Sequence, residues 1–233
     1  MLAVLVANGV LTDEAALRLR VAAADADLLV GVDGGTYHLL RLGLLPHAVT
    51  GDFDSLAETD RRRLAEQGVR VFPTPDQDYT DLDKAIAASL AEFGATKIRV
   101  FAATQGRLDH VFSVLSTIIK YGDRADLRLV DEDGETWLVR RSVTISDRTL
   151  PGRTLSLLAM GRVEGITLTG VRWPLTGESL EPGVRDGTLN LVTEETVSLS
   201  VTSGPLLLML HWPPRTEGSA RVADGDGASG DML

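Results

Sequence analysis

Six carboxylates sit in two short segments, Thr50-Gly51-Asp52-Phe53-Asp54-Ser55 and Pro75-Asp76-Gln77-Asp78-Tyr79-Thr80-Asp81-Leu82-Asp83-Lys84. Both segments end apolar runs, where like charges gain nothing from crowding unless a cation neutralises them. Oxygen ligands without Cys or His suit Mg²⁺, which keeps several waters and is commonly held by one or two carboxylates together with substrate phosphates. Magnesium-assisted phosphate transfer is therefore the first expectation. Asp52 and Asp54 are two apart, so in an extended segment their side chains face the same way and can share one cation. The same string is also good turn and helix-cap chemistry.

Other polar clusters fit that expectation, each with an ordinary structural alternative. Asp33-Gly34-Gly35 reads as a strand-to-helix turn in which glycine allows positive φ or close approach to a phosphate. Thr80 with Asp83 resembles a capping box, and Asp81 suits the positive end of a helix. Asp76 and Asp78 have no such explanation. Lys84, one turn into that helix, can reach phosphates or simply be solvated. Arg107 and Asp109 flank Leu108 at a helix start, where a guanidinium would grip phosphate bidentately, or the two would form a local ion pair. His38, His47, His110 and His211 show no metal spacing and are read as structural. Trp173 follows an apolar strand and is either core or a ligand-stacking surface.

The elements that position these residues alternate. Apolar runs at Leu2–Ala7, Leu28–Val32, His47–Thr50, Val69–Phe72 and Lys97–Ala103 read as strands, each followed by a polar loop and a stretch of helical character. Thr12 caps the first helix, with Ala16, Leu17, Leu19 and Val21 as its apolar contacts, and Phe112, Leu115, Ile118 and Ile119 keep helical spacing in the fifth. Five strand–helix repeats predict an α/β domain with a Rossmann-like parallel sheet, since parallel strands need crossovers. Asn8, Asp33, Asp52, Asp54, Asp76 to Asp81, Arg107 and Asp109 all follow strands. They should therefore meet at one edge of the sheet, where ligands bind. From about Asp126 short runs of Val, Thr and Leu between Gly, Pro, Asp and Glu predict an all-β sandwich or barrel. The expected domains are 1–124, 125–214 and a disordered tail, 215–233.

Totals set the limits. A net charge of −10 repels nucleic acid and anionic membranes. No cysteine means no disulfide, thiolate ligand or cysteine nucleophile, and no apolar run approaches the roughly 18 residues of a membrane helix, so a cytoplasmic protein is expected.

Read together, Asp33-Gly34-Gly35, Gly51-Asp52-Phe53-Asp54-Ser55, Pro75-Asp76-Gln77-Asp78 with Thr80-Asp81 and Lys84, Gly106-Arg107-Leu108-Asp109-His110, and Gly170-Val171-Arg172-Trp173-Pro174-Leu175 resemble the thiamine pyrophosphokinase family in order and over nearly the whole chain. The resemblance implies transfer of pyrophosphate from ATP to thiamine with Mg²⁺, giving thiamine diphosphate and AMP. It implies an acidic centre of Asp33, Asp52, Asp54 and Asp81, with Asp52, Asp54 and Asp81 on the metal. Gln77, Thr80, Lys84, Arg107 and Asp109 would surround the nucleotide, and Trp173 with Asn190 would hold thiamine. It also implies a homodimer whose site joins the α/β domain of one subunit to the β domain of the other. Two departures stand out: Gln105 replaces a second glycine, and Leu189-Asn190 stands where a Ser-Asn pair is common. The rivals are a pyrophosphokinase for another alcohol such as a hydroxymethylpterin, a non-catalytic nucleotide or thiamine sensor, and a hydrolase with an Asp nucleophile.

Overall fold

Short apolar runs rich in Val, Leu and Ile become strands because their branched side chains pack well on a pleated surface. In this computed structural model, which describes residues 1–76 and 78–213, the elements run β1 (Leu2–Val6), α1 (Asp13–Ala24), β2 (Leu28–Val32), α2 (Thr36–Arg41), β3 (Ala48–Gly51), α3 (Glu58–Glu66), β4 (Arg70–Pro73), α4 (Asp81–Ala91), β5 (Lys97–Phe101) and α5 (Leu108–Tyr121). They continue with β6 (Asp126–Val130), β7 (Gly134–Val139), β8 (Ser142–Ser146), β9 (Thr154–Ala159), β10 (Val163–Thr169), β11 (Leu175–Leu180), β12 (Gly187–Leu191), β13 (Thr196–Ser200) and β14 (Leu206–His211). The expected tail, 215–233, and Gln77 lie outside the described residues.

The five strand–helix repeats are present, and β1 to β6 pair in parallel in the order β6-β5-β1-β2-β3-β4. Period-two alternation sends one set of side chains to each face. Ala3 and Leu5 of β1 pack with Leu82 and Ile86 of α4 and Ile118 of α5, while Val4 and Val6 pack with Leu19 of α1 and Leu39 of α2. Helices thus cover both faces.

The second half differs from a free-standing sandwich. β6, grouped by its sequence with the β-rich half, pairs in parallel with β5, and β7, β14, β9 and β12 extend the same sheet antiparallel to ten strands. A second sheet, β11-β10-β13-β8, covers one face of that extension, and Leu155, Leu157, Leu206 and Leu208 meet Ile166, Leu168, Val197 and Leu199 between the two layers. Leu207, on the opposite face of β14, belongs to the core that α5 helps to build. Two helical expectations change. Leu17 and Val21 of α1 and Phe112 of α5 are exposed, while Ala15, Leu19, Val114 and Ile118 carry the burial.

Candidate active site

In the parallel part, strand order runs outward from β1 toward β4 on one side and from β5 toward β6 on the other. The crevice beyond the carboxyl ends of β1 and β5 is therefore the expected place for a ligand. A cavity of about 890 Å³ opens there, lined by Asn8 and Gly9 after β1, Asp33 after β2, Asp52, Asp54 and Ser55 after β3, Asp78 to Leu82 and Lys84 at the start of α4, and Gln105 to Arg107, Asp109 and His110 after β5. Residues from five segments thus converge, as their positions after strands predict.

Backbone geometry sets which carboxylates meet. Asp33 itself adopts a left-handed φ of 47°, so the positive φ expected of the following glycines falls on the aspartate. Gly34 and Gly35 instead permit close packing. A Cβ on Gly34 would lie 2.5 Å from the Asn8 side chain, and one on Gly35 only 2.0 Å from the Val6 carbonyl oxygen. The expected shared face of Asp52 and Asp54 requires an extended segment, but Phe53 between them has φ 64°. Its buried ring lies 4.8 Å beneath the Arg61 guanidinium. The Asp54 N–H donates to Oδ1 of Asp52 (3.2 Å), and the Asp54 carboxylate turns to the Ser55 hydroxyl (2.8 Å). The group that converges is Asp33, Asp52 and Asp81, with one oxygen of each within 4.8 Å of the others, and Asp54 is outside it.

The three carboxylates suit a hard cation. Asp81 Oδ1 is buried and accepts no hydrogen bond, although Nζ of Lys84 lies 2.8 Å away, because contact alone does not give hydrogen-bond geometry. That ammonium donates to the carbonyls of Thr74 (2.6 Å) and Asp76 (2.9 Å), so Lys84 pins the acidic loop. Asp33 is 5% exposed and accepts from the Leu56 N–H at 3.2 Å. Burial pushes its carboxyl above the usual range, and the Asp54 carboxylate adds to this, against the opposing hydrogen bonds from Gly34 and Ser55. Without a cation, the folded state therefore holds the Asp33 proton more tightly than the unfolded chain does. Its contribution to stability is present below pH 3.8 and is lost as pH rises through the elevated folded value. Asp33→Asn should thus raise the melting temperature of the metal-free protein at pH 7 and remove any stabilisation by Mg²⁺. Differential scanning calorimetry with and without the ion checks both.

Around this centre, Thr80 caps α4 by accepting from the Asp83 N–H (3.2 Å). Asp76 closes its own turn by accepting from the Asp78 N–H (2.8 Å), which gives Asp76 the structural role its sequence position lacked. Arg107 and Asp109 realise the local ion pair at the exposed rim, with Nε to Oδ1 at 3.1 Å and a terminal N–H to Oδ2 at 2.6 Å. Each raises the other's preference for charge. The Gln105 amide donates to Glu132, across the loop that follows β6. His38 donates from Nε2 to the Gly9 carbonyl (2.7 Å), and burial lowers its proton affinity. His47 accepts from the Leu29 N–H (2.8 Å), so both of these are structural. His110, Ser55 and Tyr79 line the cavity without having been assigned to the site from sequence. Their positions next to Asp109, Asp54 and Thr80 were the available signal.

A family model described as "Thiamin pyrophosphokinase, catalytic domain" matches residues 19–130, and one described as "Thiamin pyrophosphokinase, vitamin B1 binding domain" matches residues 142–206. The thiamine pyrophosphokinase of Bacillus subtilis is 32% identical over 152 residues, covering 64% of this chain and 70% of the relative. The chain belongs to the thiamin pyrophosphokinase family. The thiamin pyrophosphokinase 1 of Caenorhabditis elegans is 28% identical over 75% of both chains. Among solved structures, the thiamin pyrophosphokinase of Geobacillus thermodenitrificans superimposes with a TM-score of 0.76 at 29% identity, covering 94% of this chain and 99% of that one.

The segment matching the thiamin pyrophosphokinase B1-binding domain contains Trp173 and Asn190. Neither lines the acidic cavity. Trp173 is 54% exposed, with the Arg172 guanidinium 5.1 Å from its ring centroid. Asn190 is buried and spends its amide on the Trp173 backbone, accepting from its N–H (3.2 Å) and donating to its carbonyl (2.7 Å). It thereby fixes the indole's place. The preceding Leu189 has φ 61° and interrupts the β12–β9 register, leaving its side chain exposed.

Proposed function

We propose that this chain transfers the pyrophosphoryl group of ATP to thiamine, giving thiamine diphosphate and AMP. The observation that carries the reading is the convergence of Asp33, Asp52 and Asp81, from three separate segments, on one cavity at the sheet's switch point. Residues 1–124 form the catalytic part, residues 125–214 the thiamine-binding part. Asp33, Asp52 and Asp81 would hold Mg²⁺, and their convergence as an all-oxygen donor set supports this. Asp54, turned to Ser55, adds negative charge beside them. When bound, the ion neutralises charge on phosphate oxygens and orients the triphosphate.

The remaining work falls to the chain's own groups. The thiamine hydroxyl oxygen forms a bond to the β-phosphorus as the bond from that phosphorus to the α,β-bridging oxygen breaks; the hydroxyl proton is released to solvent through the carboxylates of the site, and AMP leaves. In a loose transition state the residues mainly position reactants in line and offset charge. Lys84, 2.8 Å from Asp81, and Arg107 at the rim supply positive charge, with Thr80 and Asp109 on the cavity wall as further nucleotide-binding positions; the family resemblance adds Gln77. Trp173 would stack on the cationic thiamine ring, favoured by the acidic chain. Asn190 serves by holding Trp173.

The site is assembled across a homodimer. Within one chain β12 lies seven strand spacings from β2. At the usual strand separation that is roughly 34 Å, too far for one thiamine to touch both Trp173 and the Asp33 cluster. A second subunit supplies the missing wall. We place the enzyme in the cytoplasm, a reading supported by the cysteine-free sequence.

The acceptor is tested by measuring AMP release from MgATP with thiamine or a hydroxymethylpterin present. Release with thiamine alone is expected; release with the pterin alone would move the function to the rival acceptor.

A further inference from the structure

Asp83 is a buried carboxylate that the reaction leaves unused. Its N–H satisfies the Thr80 cap, but its side chain does not return to the helix start as a capping box requires. Both oxygens accept from Nζ of Lys120 (3.0 and 2.9 Å), and Oδ1 also accepts from the Tyr121 hydroxyl (2.8 Å). The first turn of α4 is thereby tied to the last turn of α5. A carboxylate so little exposed (8%) is costly without its partners, which fixes Lys120 in one place.

The same ammonium lies 4.3 Å from the ring centroid of Tyr79. Tyr79 is 52% exposed, lines the cavity, and precedes Asp81 by two residues. A fixed cation against an aromatic face gives that ring a preferred seat. On the other side of the loop, Lys84 holds the carbonyls of Thr74 and Asp76. The acidic loop therefore has an anchor at each end, one on its backbone and one on an exposed ring.

We infer that Lys120 is a positioning residue for the phosphate site. Oriented by Asp83 and Tyr121, it seats Tyr79 and so holds the segment leading into Asp81 in its binding geometry before ligand arrives. This rests on the reading of the cavity as a MgATP site. A loop ordered in advance spares the ordering cost on binding, so its effect belongs to affinity more than to the chemical step.

The test is calorimetric titration of the full-length protein with ATP in the presence of Mg²⁺, without thiamine, on Tyr79→Leu, Tyr79→Phe, Lys120→Met and the Tyr79→Leu/Lys120→Met double variant. Tyr79→Leu should weaken binding by about 2–5-fold, the worth of one partly exposed cation–ring contact, without moving the melting temperature. Tyr79→Phe should bind as wild type. Lys120→Met should melt lower, because Asp83 loses its cation, and should weaken binding by a similar factor. The double variant should be no weaker than Lys120→Met, since both changes remove one contact. A folded Lys120→Met protein with wild-type affinity, or losses that multiply in the double variant, would overturn the inference alone. Wild-type protein that binds no MgATP would overturn the reading of the cavity beneath it as well.

Discussion

Replacing Asp52 by Asn is expected to lower turnover by about 10²–10³-fold while leaving the melting temperature within about 1 °C of wild type. The expectation follows from its place. Asp52 is exposed at the end of β3, so little of the fold depends on its charge, yet one of its oxygens lies within 4.8 Å of the Asp33 and Asp81 oxygens. An amide keeps the size and the capacity to accept the Asp54 N–H but removes the negative charge that draws a divalent ion. Asp81→Asn should act in the same direction, because it removes the charge of a carboxylate that converges with those of Asp33 and Asp52. In both variants the Mg²⁺ concentration giving half-maximal rate should rise, which separates weakened metal binding from lost folding. Steady-state rates across a magnesium series, paired with thermal melts, measure this. Near-normal turnover at low magnesium would remove these residues from the metal shell.

Trp173→Ala should raise the KM for thiamine by about 30–100-fold, the combined worth of ring stacking and a cation over an aromatic face. The side chain is half exposed and its position is set through its backbone by Asn190, so its removal leaves the β-sandwich core untouched. The variant also tests the assembly. Co-expressed in equal amounts with the Asp81→Asn chain, it should form mixed dimers in which one site has both residues intact. Activity should recover to about a quarter of wild type, although neither parent is active at low thiamine. No recovery on mixing would place Trp173 and Asp81 of a single chain in the same site, against their separation along the sheet.

Much of this was legible in the residue pattern, for physical reasons. Strand and helix alternated because apolar runs of four to seven residues were punctuated by Gly, Asp and Thr, and parallel topology then forced the polar loops to one edge. The caps at Thr12 and Thr80 are local chemistry and appear where expected. What could not be read depends on distant partners. Leu206–His211 is almost continuously apolar, without the alternation that marks a half-buried strand, and its seat between β7 and β9 is a long-range pairing. Residue types did not show that Phe53 takes a left-handed φ, yet that one torsion separates Asp54 from Asp52 and changes which acids meet. Asp83 likewise looked like half of a capping box, because its partners Lys120 and Tyr121 lie a full crossover away in sequence. The width of the ten-stranded sheet, which keeps Trp173 from the acids of its own chain, is a property of strand order and not of any motif.

The central claim is most directly tested by phosphorus NMR of the purified full-length protein with ATP, Mg²⁺ and thiamine. AMP and thiamine diphosphate should appear together in equal amounts, with no AMP formed when thiamine is omitted. Formation of ADP with thiamine monophosphate, or AMP release that ignores thiamine, would contradict it.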